Sequence, residues 1–104
     1  MLDLTVLKKD GSNEAFSRDK VLEGVRKACW KRPVTEEQVG DLVDKVEREL
    51  RKREGTEVAS KFIGDLVLKR LRKLDGVAYI RFASVYRSFT DLDSFVKEVK
   101  ALQD

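Results

Sequence analysis

The sequence of 104 residues contains no histidine, one cysteine and one proline. Without histidine, general acid–base catalysis would fall to Asp, Glu, Lys, Tyr or Cys29. The same counts exclude an internal disulfide and a zinc site built from this chain alone. The sequence also has no P-loop and no GxGxxG, GxSxG or HExxH motif. We therefore expect a binding protein that is not an enzyme, with no catalytic and no metal-ligating residues.

Long apolar runs are absent as well, and no segment is predicted to span a membrane. Residues 1–4 lack the cationic start and apolar run of a signal peptide. Lys and Arg number 22 against 19 Asp and Glu, a net charge of +3, which is weak for a nucleic-acid-binding protein. We expect a cytoplasmic protein whose residues 1–104 form a single domain.

Two short segments are typical of β-structure. Residues 4–16 surround Asp10-Gly11, where the glycine can supply the positive φ of a tight turn, and they predict a β-hairpin with a loop of about four residues. Residues 56–58 predict a third short strand. Because two strands alone are marginally stable, the sheet must pack against helices.

The rest of the chain repeats apolar residues at helical spacing. A first helix is predicted from an N-cap at Ser17 to a stop at Arg32-Pro33, and a second from the capping box of residues 35–38. The first is rich in basic residues and the second in acidic ones, so the two would attract each other if antiparallel. A third helix would be capped by Ser60, with its apolar stripe at Phe62, Ile63, Leu66, Val67, Leu71 and Leu74.

Two further helices complete the prediction. Residues 77–89 are apolar or aromatic on most faces, as in a central helix, and Thr90 with Asp93 would cap a last amphipathic helix. The fold class is therefore α+β, with four or five helices in a small bundle capped by a two- or three-stranded sheet.

The densest polar cluster lies near the N-terminus, at Lys8, Lys9, Asp10-Gly11, Glu14 and Lys20. Lysines beside a glycine turn and a helix N-terminus can bind an anion, because free N–H groups and the helix dipole favour phosphate oxygens. The alternative is a hairpin turn whose lysines only keep it soluble. The pattern alone favours the second interpretation slightly.

Other features allow two interpretations each. The stripe Tyr79, Phe82, Tyr86 and Phe89 is typical of a core, but with Arg81 and Arg87 on the same helix it could also contact a phosphate or a base. The basic residues 69–73 could touch nucleic acid or form a solvated helix face. Trp30 could stack on a base, join a dimer or lie in the core. Cys29 is expected to be a small core residue.

Several motifs resemble known families. Val6-Leu7-Lys8-Lys9-Asp10-Gly11, with Glu14, Phe16 and Asp19-Lys20-Val21, resembles the opening motif of the ATP-cone domain, the allosteric nucleotide-binding module of ribonucleotide reductases. Residues 31–34, 58–64 and 77–89 resemble the ATP-cone half of the bacterial transcriptional repressor of ribonucleotide-reductase operons. The resemblance covers about residues 4–100.

The resemblance implies a four-helix bundle under a small sheet that binds ATP or dATP without hydrolysis and changes its oligomeric state with the ligand. Mg²⁺ would arrive only with the triphosphate. In the implied site, Lys8 and Lys9 hold phosphates or ribose and Lys20 holds phosphates. The other implied nucleotide contacts are Val6 and Phe16 beside the adenine, Glu14 and Ser60 near base or sugar, and Tyr79 and Tyr86 near the nucleotides.

One departure from the repressor family bears on DNA binding. That family has an N-terminal four-cysteine zinc ribbon and an arginine run, and this chain has neither, so we expect DNA contact only through such a missing region. Three hypotheses follow: a non-catalytic ATP/dATP sensor forming a homo-oligomer, a DNA-binding regulator using Arg70, Arg72 and Lys73 or the first-helix basic face, and a purely structural oligomerisation domain.

Overall fold

The computed structural model of the chain describes residues 3–103. Residues 1 and 2, part of the segment judged not to be a signal peptide, lie outside the described residues. The elements in chain order are β1 (Thr5–Leu7), β2 (Asn13–Ala15), α1 (Arg18–Ala28), α2 (Glu36–Lys52), β3 (Glu57–Ala59), α3 (Ser60–Leu74), α4 (Gly76–Tyr86) and α5 (Leu92–Gln103). The α+β prediction, with five helices and three strands, is confirmed.

The sheet has the order β2-β1-β3 and is mixed. Strand β1 pairs antiparallel with β2, with Val6 opposite Glu14, and parallel with β3, with Val6 opposite Val58. Gly11 has φ of 88° in the hairpin connection, as the Asp10-Gly11 pattern predicts. The connection spans five residues, 8–12, one more than predicted.

Helices α1 to α4 form the bundle, in which α1 packs on α2, α2 on α3, α3 on α4, and α4 back on α1. The core between them is made of aliphatic side chains, and the second helix contributes its whole predicted stripe, Val39, Leu42, Val43, Val46 and Leu50. Cys29 is buried, as predicted. The sheet closes one part of this core through Val6 and Val58.

Two predicted caps are confirmed and two are wrong. Ser17 accepts from the backbone N–H of Lys20, and Thr35 forms a capping box with Gln38. Ser60 is the first residue of α3 and not its cap, because β3 runs directly into the helix and leaves Ala59 as the N-cap. In place of Thr90 with Asp93, Asp91 accepts from the N–H of Ser94 at the start of α5.

Three other helix predictions are corrected. Helix α1 ends at Ala28, before Arg32-Pro33, and the chain then turns through Lys31, which has a left-handed φ of 57°. In α3, Phe62 of the predicted stripe is exposed, whereas Leu68, which is outside the predicted stripe, is buried. Helix α4 ends at Tyr86 and not at residue 89, and it is not a central helix packed on all faces, since Val85 is 80% exposed.

Ion pairs join the basic helix α1 to the acidic helix α2, as the charge pattern predicts. Arg18 pairs with Asp44 and lies 3.7 Å from Glu47, and Arg26 lies 3.1 Å from Glu36. These pairs are exposed, so each contributes little to stability. They nevertheless neutralise much of the basic face of α1.

Among residues 3–103, no helix is long and apolar enough to cross a bilayer.

Candidate nucleotide-binding site

A groove of about 1040 Å³ runs between the hairpin loop, α3 and the end of α4. Lys8 and Lys9 enter it from the loop, and Tyr79 and Tyr86 from α4. Its remaining lining residues are Ser60, Lys61, Asp65, Leu68, Lys69, Arg72, Lys73, Arg87 and Ser88. A groove of this size can hold a ligand as large as a nucleotide.

The charge of the groove is strongly positive. Seven lining side chains are Lys or Arg and one, Asp65, is acidic. Lys61 lies 3.6 Å from that carboxylate. Lys9, Lys69 and Lys73 form no ion pair with any residue in the described range 3–103. A concave surface that concentrates one sign of charge attracts oppositely charged ligands.

A smaller pocket of about 200 Å³ adjoins the groove. Its floor is apolar and includes Val6, Phe16 and Phe82, whereas Glu14 and Lys20 line its rim. Apolar walls with a few polar groups at one edge suit a flat aromatic ring.

Ser60 and Tyr86 line both pockets and form the wall between them. The Tyr86 hydroxyl donates a hydrogen bond of 2.6 Å to the backbone carbonyl of Ser60. Its ring stacks on that of Phe82, with centroids 5.9 Å apart and an interplanar angle of 21°. Burial raises the pKa of Tyr86 to about 12, so the phenol is a neutral donor at physiological pH.

Glu14 holds two of the predicted lysines together. Its Oε2 atom lies 3.1 Å from Lys8 Nζ and 3.2 Å from Lys20 Nζ. Hydrogen bonds from Lys8 and then Lys20 lower the pKa of the Glu14 carboxyl. The carboxylate can accept from an amino or hydroxyl group of a ligand, and it positions both ammonium groups beside the pocket rim.

Tyr79 is placed in the groove and tied to the last helix. It is buried, and its hydroxyl donates to Glu98 on α5. Burial, and then the hydrogen bond to Glu98, raises the pKa of the Tyr79 phenol.

The N-terminus of α3 opens beside the groove without a side-chain cap. The N-cap residue Ala59 makes no capping hydrogen bond and the first turn carries no acidic residue, whereas Ser17, Thr35 and Asp75 cap α1, α2 and α4. Uncapped N–H groups at the positive end of a helix dipole favour an anion. Ser60 and Lys61 therefore bring backbone donors to the groove.

The structure brings all nine predicted site residues to these two adjoining pockets. Those in or beside the groove are Lys8, Lys9, Ser60, Tyr79 and Tyr86, and those in the smaller pocket are Val6, Glu14, Phe16, Lys20, Ser60 and Tyr86. The sequence does not assign Lys61, Lys69, Arg72 or Lys73 to this site, and it gives Arg87 only as one of two alternatives, a contact with a phosphate or a base. The signal for the four residues of α3 was the three- and four-residue spacing that puts positions 61, 65, 69, 72 and 73 on one face of that helix.

The other candidate residues either lie outside the two pockets or already contact another part of the chain. Trp30 is 66% exposed, which excludes the core interpretation, and Lys31 Nζ lies 4.6 Å from its ring centroid. Arg70 pairs with Glu49, and Arg72 donates to the backbone carbonyl of Ala101 at 2.8 Å. Among residues 3–103, no cluster of three or more acidic or cysteine side chains could hold a metal ion.

The fold and the two pockets define a small α+β domain with a cationic groove beside an apolar pocket. The chain belongs to the ATP-cone domain family, whose model matches residues 4–92.

Curated relatives carry the name transcriptional repressor NrdR. The chain is 58% identical over 99 residues to the protein of Pelotomaculum thermopropionicum, which covers 95% of this chain and 60% of the relative. It is 54% identical over 101 residues to that of Lactobacillus delbrueckii subsp. bulgaricus, covering 97% of this chain and 65% of the relative. It is 52% identical over 101 residues to that of Listeria monocytogenes, covering 97% and 66%. The chain thus spans about two thirds or less of these relatives.

Proposed function

We propose that residues 1–104 act as one non-catalytic domain that binds ATP or dATP and passes the identity of the bound nucleotide to its own assembly or to a partner. The observation that carries the proposal is the junction of the two pockets at Ser60 and Tyr86. A base would enter the apolar pocket while the phosphates extend into the cationic groove.

The phosphates are the part of the ligand that the groove suits best. Lys9 and Lys69 are free of ion pairs within residues 3–103 and supply positive charge, and the first turn of α3 supplies backbone N–H groups. Charge-assisted hydrogen bonds of this kind are roughly twice as strong as neutral ones. Mg²⁺ would enter with the triphosphate and keep most of its waters.

The base and sugar would meet the smaller pocket. Val6 and Phe16 would pack against the adenine, and the Glu14 carboxylate would accept from a ribose hydroxyl or the adenine amino group. ATP and dATP differ by one hydroxyl, so a polar group near the sugar is the element that can distinguish them.

The proposed biological role is supported by the relatives. They are named transcriptional repressors, and the resemblance to the ATP-cone of the repressor of ribonucleotide-reductase operons indicates a cytoplasmic regulator of that enzyme's expression. In this role the domain is the ligand-sensing part of a homo-oligomer, and DNA is contacted by another region.

Isothermal calorimetry with ATP and dATP tests the site, and light scattering in the same buffers tests the assembly. We expect both nucleotides to bind and the mass to differ between them. Lys9→Ala should weaken ATP binding about tenfold, equivalent to about 1.4 kcal/mol, because it removes a groove cation. Lys52→Ala is the matched control, since Lys52 is an exposed lysine at the end of α2 that lines neither pocket.

Three results would contradict the proposal. No binding at millimolar nucleotide in a folded sample would favour the purely structural oligomerisation domain. Equal effects of Lys9→Ala and Lys52→Ala would remove the groove from the site. Strong, salt-sensitive binding of duplex DNA by this chain without nucleotide would favour the DNA-binding regulator.

A further inference from the structure

The carboxylate of Glu98, on α5, occupies two donors of the cationic groove. Its Oε1 atom accepts a hydrogen bond of 2.7 Å from Arg87 Nη1 and another from the Tyr79 hydroxyl. Arg87 and Tyr79 both line the groove. The Glu98 side chain is only 16% exposed, so this is an ordered contact and not a passing surface pair.

Helix α5 has few other attachments. None of its residues is buried, and Leu92 on its first turn is 74% exposed. Apart from its packing on α4, it is held by the hydrogen bond from Arg72 to the Ala101 carbonyl and by the edge-to-face contact of Phe89 with Phe95, with centroids 5.7 Å apart. Leu102 of α5 also packs against the core, so the Glu98 contacts are the ionic part of what holds α5 against the bundle.

We propose that Glu98 is an internal competitor of the ligand phosphates and sets the affinity of the groove. The inference rests on the proposed nucleotide binding and adds a residue to it. A carboxylate on Arg87 neutralises one groove cation and repels a phosphate that approaches the same guanidinium. A polyphosphate that takes the Nη1 donor of Arg87 displaces Glu98, and α5 then loses its ionic attachment.

Through this competition, ligand binding in the groove changes the position of α5 on the surface of the domain. Phosphate in the groove and Glu98 on Arg87 are alternative partners of one cation, so ligand binding shifts α5 away from its position on α4. A ligand moves such an equilibrium only through a difference in its affinity for the two states. Here the difference is the availability of Arg87 and Tyr79.

The test compares Glu98→Gln with Asp93→Asn in the full chain. Glu98→Gln keeps the shape of the side chain and removes its charge. Asp93→Asn makes the same change of net charge on the first turn of the same helix, at an exposed aspartate. Calorimetry of each variant uses ATP, inorganic tripolyphosphate and adenosine as ligands.

We expect Glu98→Gln to bind ATP and tripolyphosphate about three- to tenfold more tightly than the unaltered chain, because neither has to displace a carboxylate. Adenosine affinity should not change, and Asp93→Asn should change none of the three affinities by more than about twofold. A purely structural role of Glu98 would not tighten phosphate binding.

The outcomes separate this inference from the proposed function. If the unaltered chain binds no ATP, the proposed function is overturned and this inference with it. If the unaltered chain binds ATP and Glu98→Gln binds it equally or more weakly, or gains no more than Asp93→Asn, this inference alone is overturned.

A measurement on the unaltered chain covers the case in which Glu98→Gln does not fold. Hydrogen exchange of the α5 amides should become faster when tripolyphosphate is bound, because the helix loses its attachment at Arg87. Unchanged or slower exchange in α5 at saturating tripolyphosphate would overturn the inference.

Discussion

The ring of Tyr86 lies directly against the α-carbon of Gly64, where a β-carbon on residue 64 would fall inside the ring's van der Waals surface. Gly64 is in the middle of α3, and Tyr86 is the last residue of α4. The absence of a side chain at 64 therefore lets the phenol reach the Ser60 carbonyl and form the wall between the two pockets.

Gly64→Ala should displace the Tyr86 ring and lower the free energy of unfolding by about 1–2 kcal/mol, despite the better helix propensity of alanine. In a Tyr86→Ala background the same change should be neutral or stabilising by up to about 1 kcal/mol, because the obstacle is gone. Urea unfolding of the four proteins in the cycle measures the coupling. Equal effects of Gly64→Ala in both backgrounds would show that the ring does not fill this space.

The two tyrosines of the chain should ionise at a higher pH than free tyrosine. Burial raises the pKa of Tyr86 to about 12 and also raises that of Tyr79. Folding therefore favours the neutral phenols, and their contribution to stability is complete below pH 10 and is lost as the pH rises toward 12. Ultraviolet absorbance of tyrosinate should show less than half ionisation at pH 10. In Tyr79→Phe the single remaining step should lie near 12, and a step at 10 would contradict the burial of Tyr86.

Acid should weaken the junction between α3 and α4. Arg32 Nε lies 3.0 Å from an oxygen of Asp75, which is only 7% exposed and caps α4 at Ala78. The hydrogen bond from Arg32 lowers the pKa of the Asp75 carboxyl. Its contribution to stability is therefore complete above the unfolded pKa of about 3.9 and is lost as the pH falls below that value.

Asp75→Asn keeps an acceptor for the cap but removes the charge. We expect it to lower the free energy of unfolding by about 1–3 kcal/mol at pH 7, and to reduce the dependence of Tm on pH below about 4. Melting curves between pH 3 and 7 check both effects. A variant with the same acid sensitivity as the parent would show that Asp75 does not titrate in this range.

Trp30 should contribute little to folding despite its size. Because it is 66% exposed, Trp30→Ala should change the free energy of unfolding by less than about 0.5 kcal/mol. Leu50→Ala, at a side chain 1% exposed in the core, should cost about 2–5 kcal/mol. Denaturant unfolding of both variants gives the comparison. A large loss in Trp30→Ala would mean that the residue is covered in solution, and light scattering would then show whether a second copy covers it.

The most reliable predictions came from short-range patterns in the sequence. The caps Ser17 and Thr35 and the turn glycine Gly11 were predicted correctly, because each depends on hydrogen bonds or backbone angles within a few residues. Ser60 and Thr90 have equally good capping side chains, and their assignments were wrong. At Ser60, the cause is that β3 pairs with β1 and runs straight into α3. That pairing joins segments about 50 residues apart, so no local rule contains it.

The candidate site was likewise predicted in part from the sequence, and the rest of it depends on contacts between distant segments. The resemblance to the ATP-cone pointed to nine residues, all of which line the two adjoining pockets. From the sequence alone, the basic residues 69–73 are predicted either to touch nucleic acid or to form a solvated helix face. In the structure, Lys69, Arg72 and Lys73 line the same groove as Lys8 and Lys9. Helical spacing shows which residues share a face of α3, but not which element that face meets.

The sequence by itself determined the type and order of the elements, the α+β class, the opposite charges of α1 and α2, and the family, because each follows from residue type and spacing along the chain. Only the tertiary structure decided that Tyr86 rests on Gly64, that Glu14 joins Lys8 to Lys20, and that Glu98 holds Arg87 and Tyr79. The last of these contacts links α5 to the groove. The physical reason is that segments far apart in the sequence together form the groove and give it its charge. Burial of the common core brings these segments together, and it specifies their relative positions only when the whole bundle is packed.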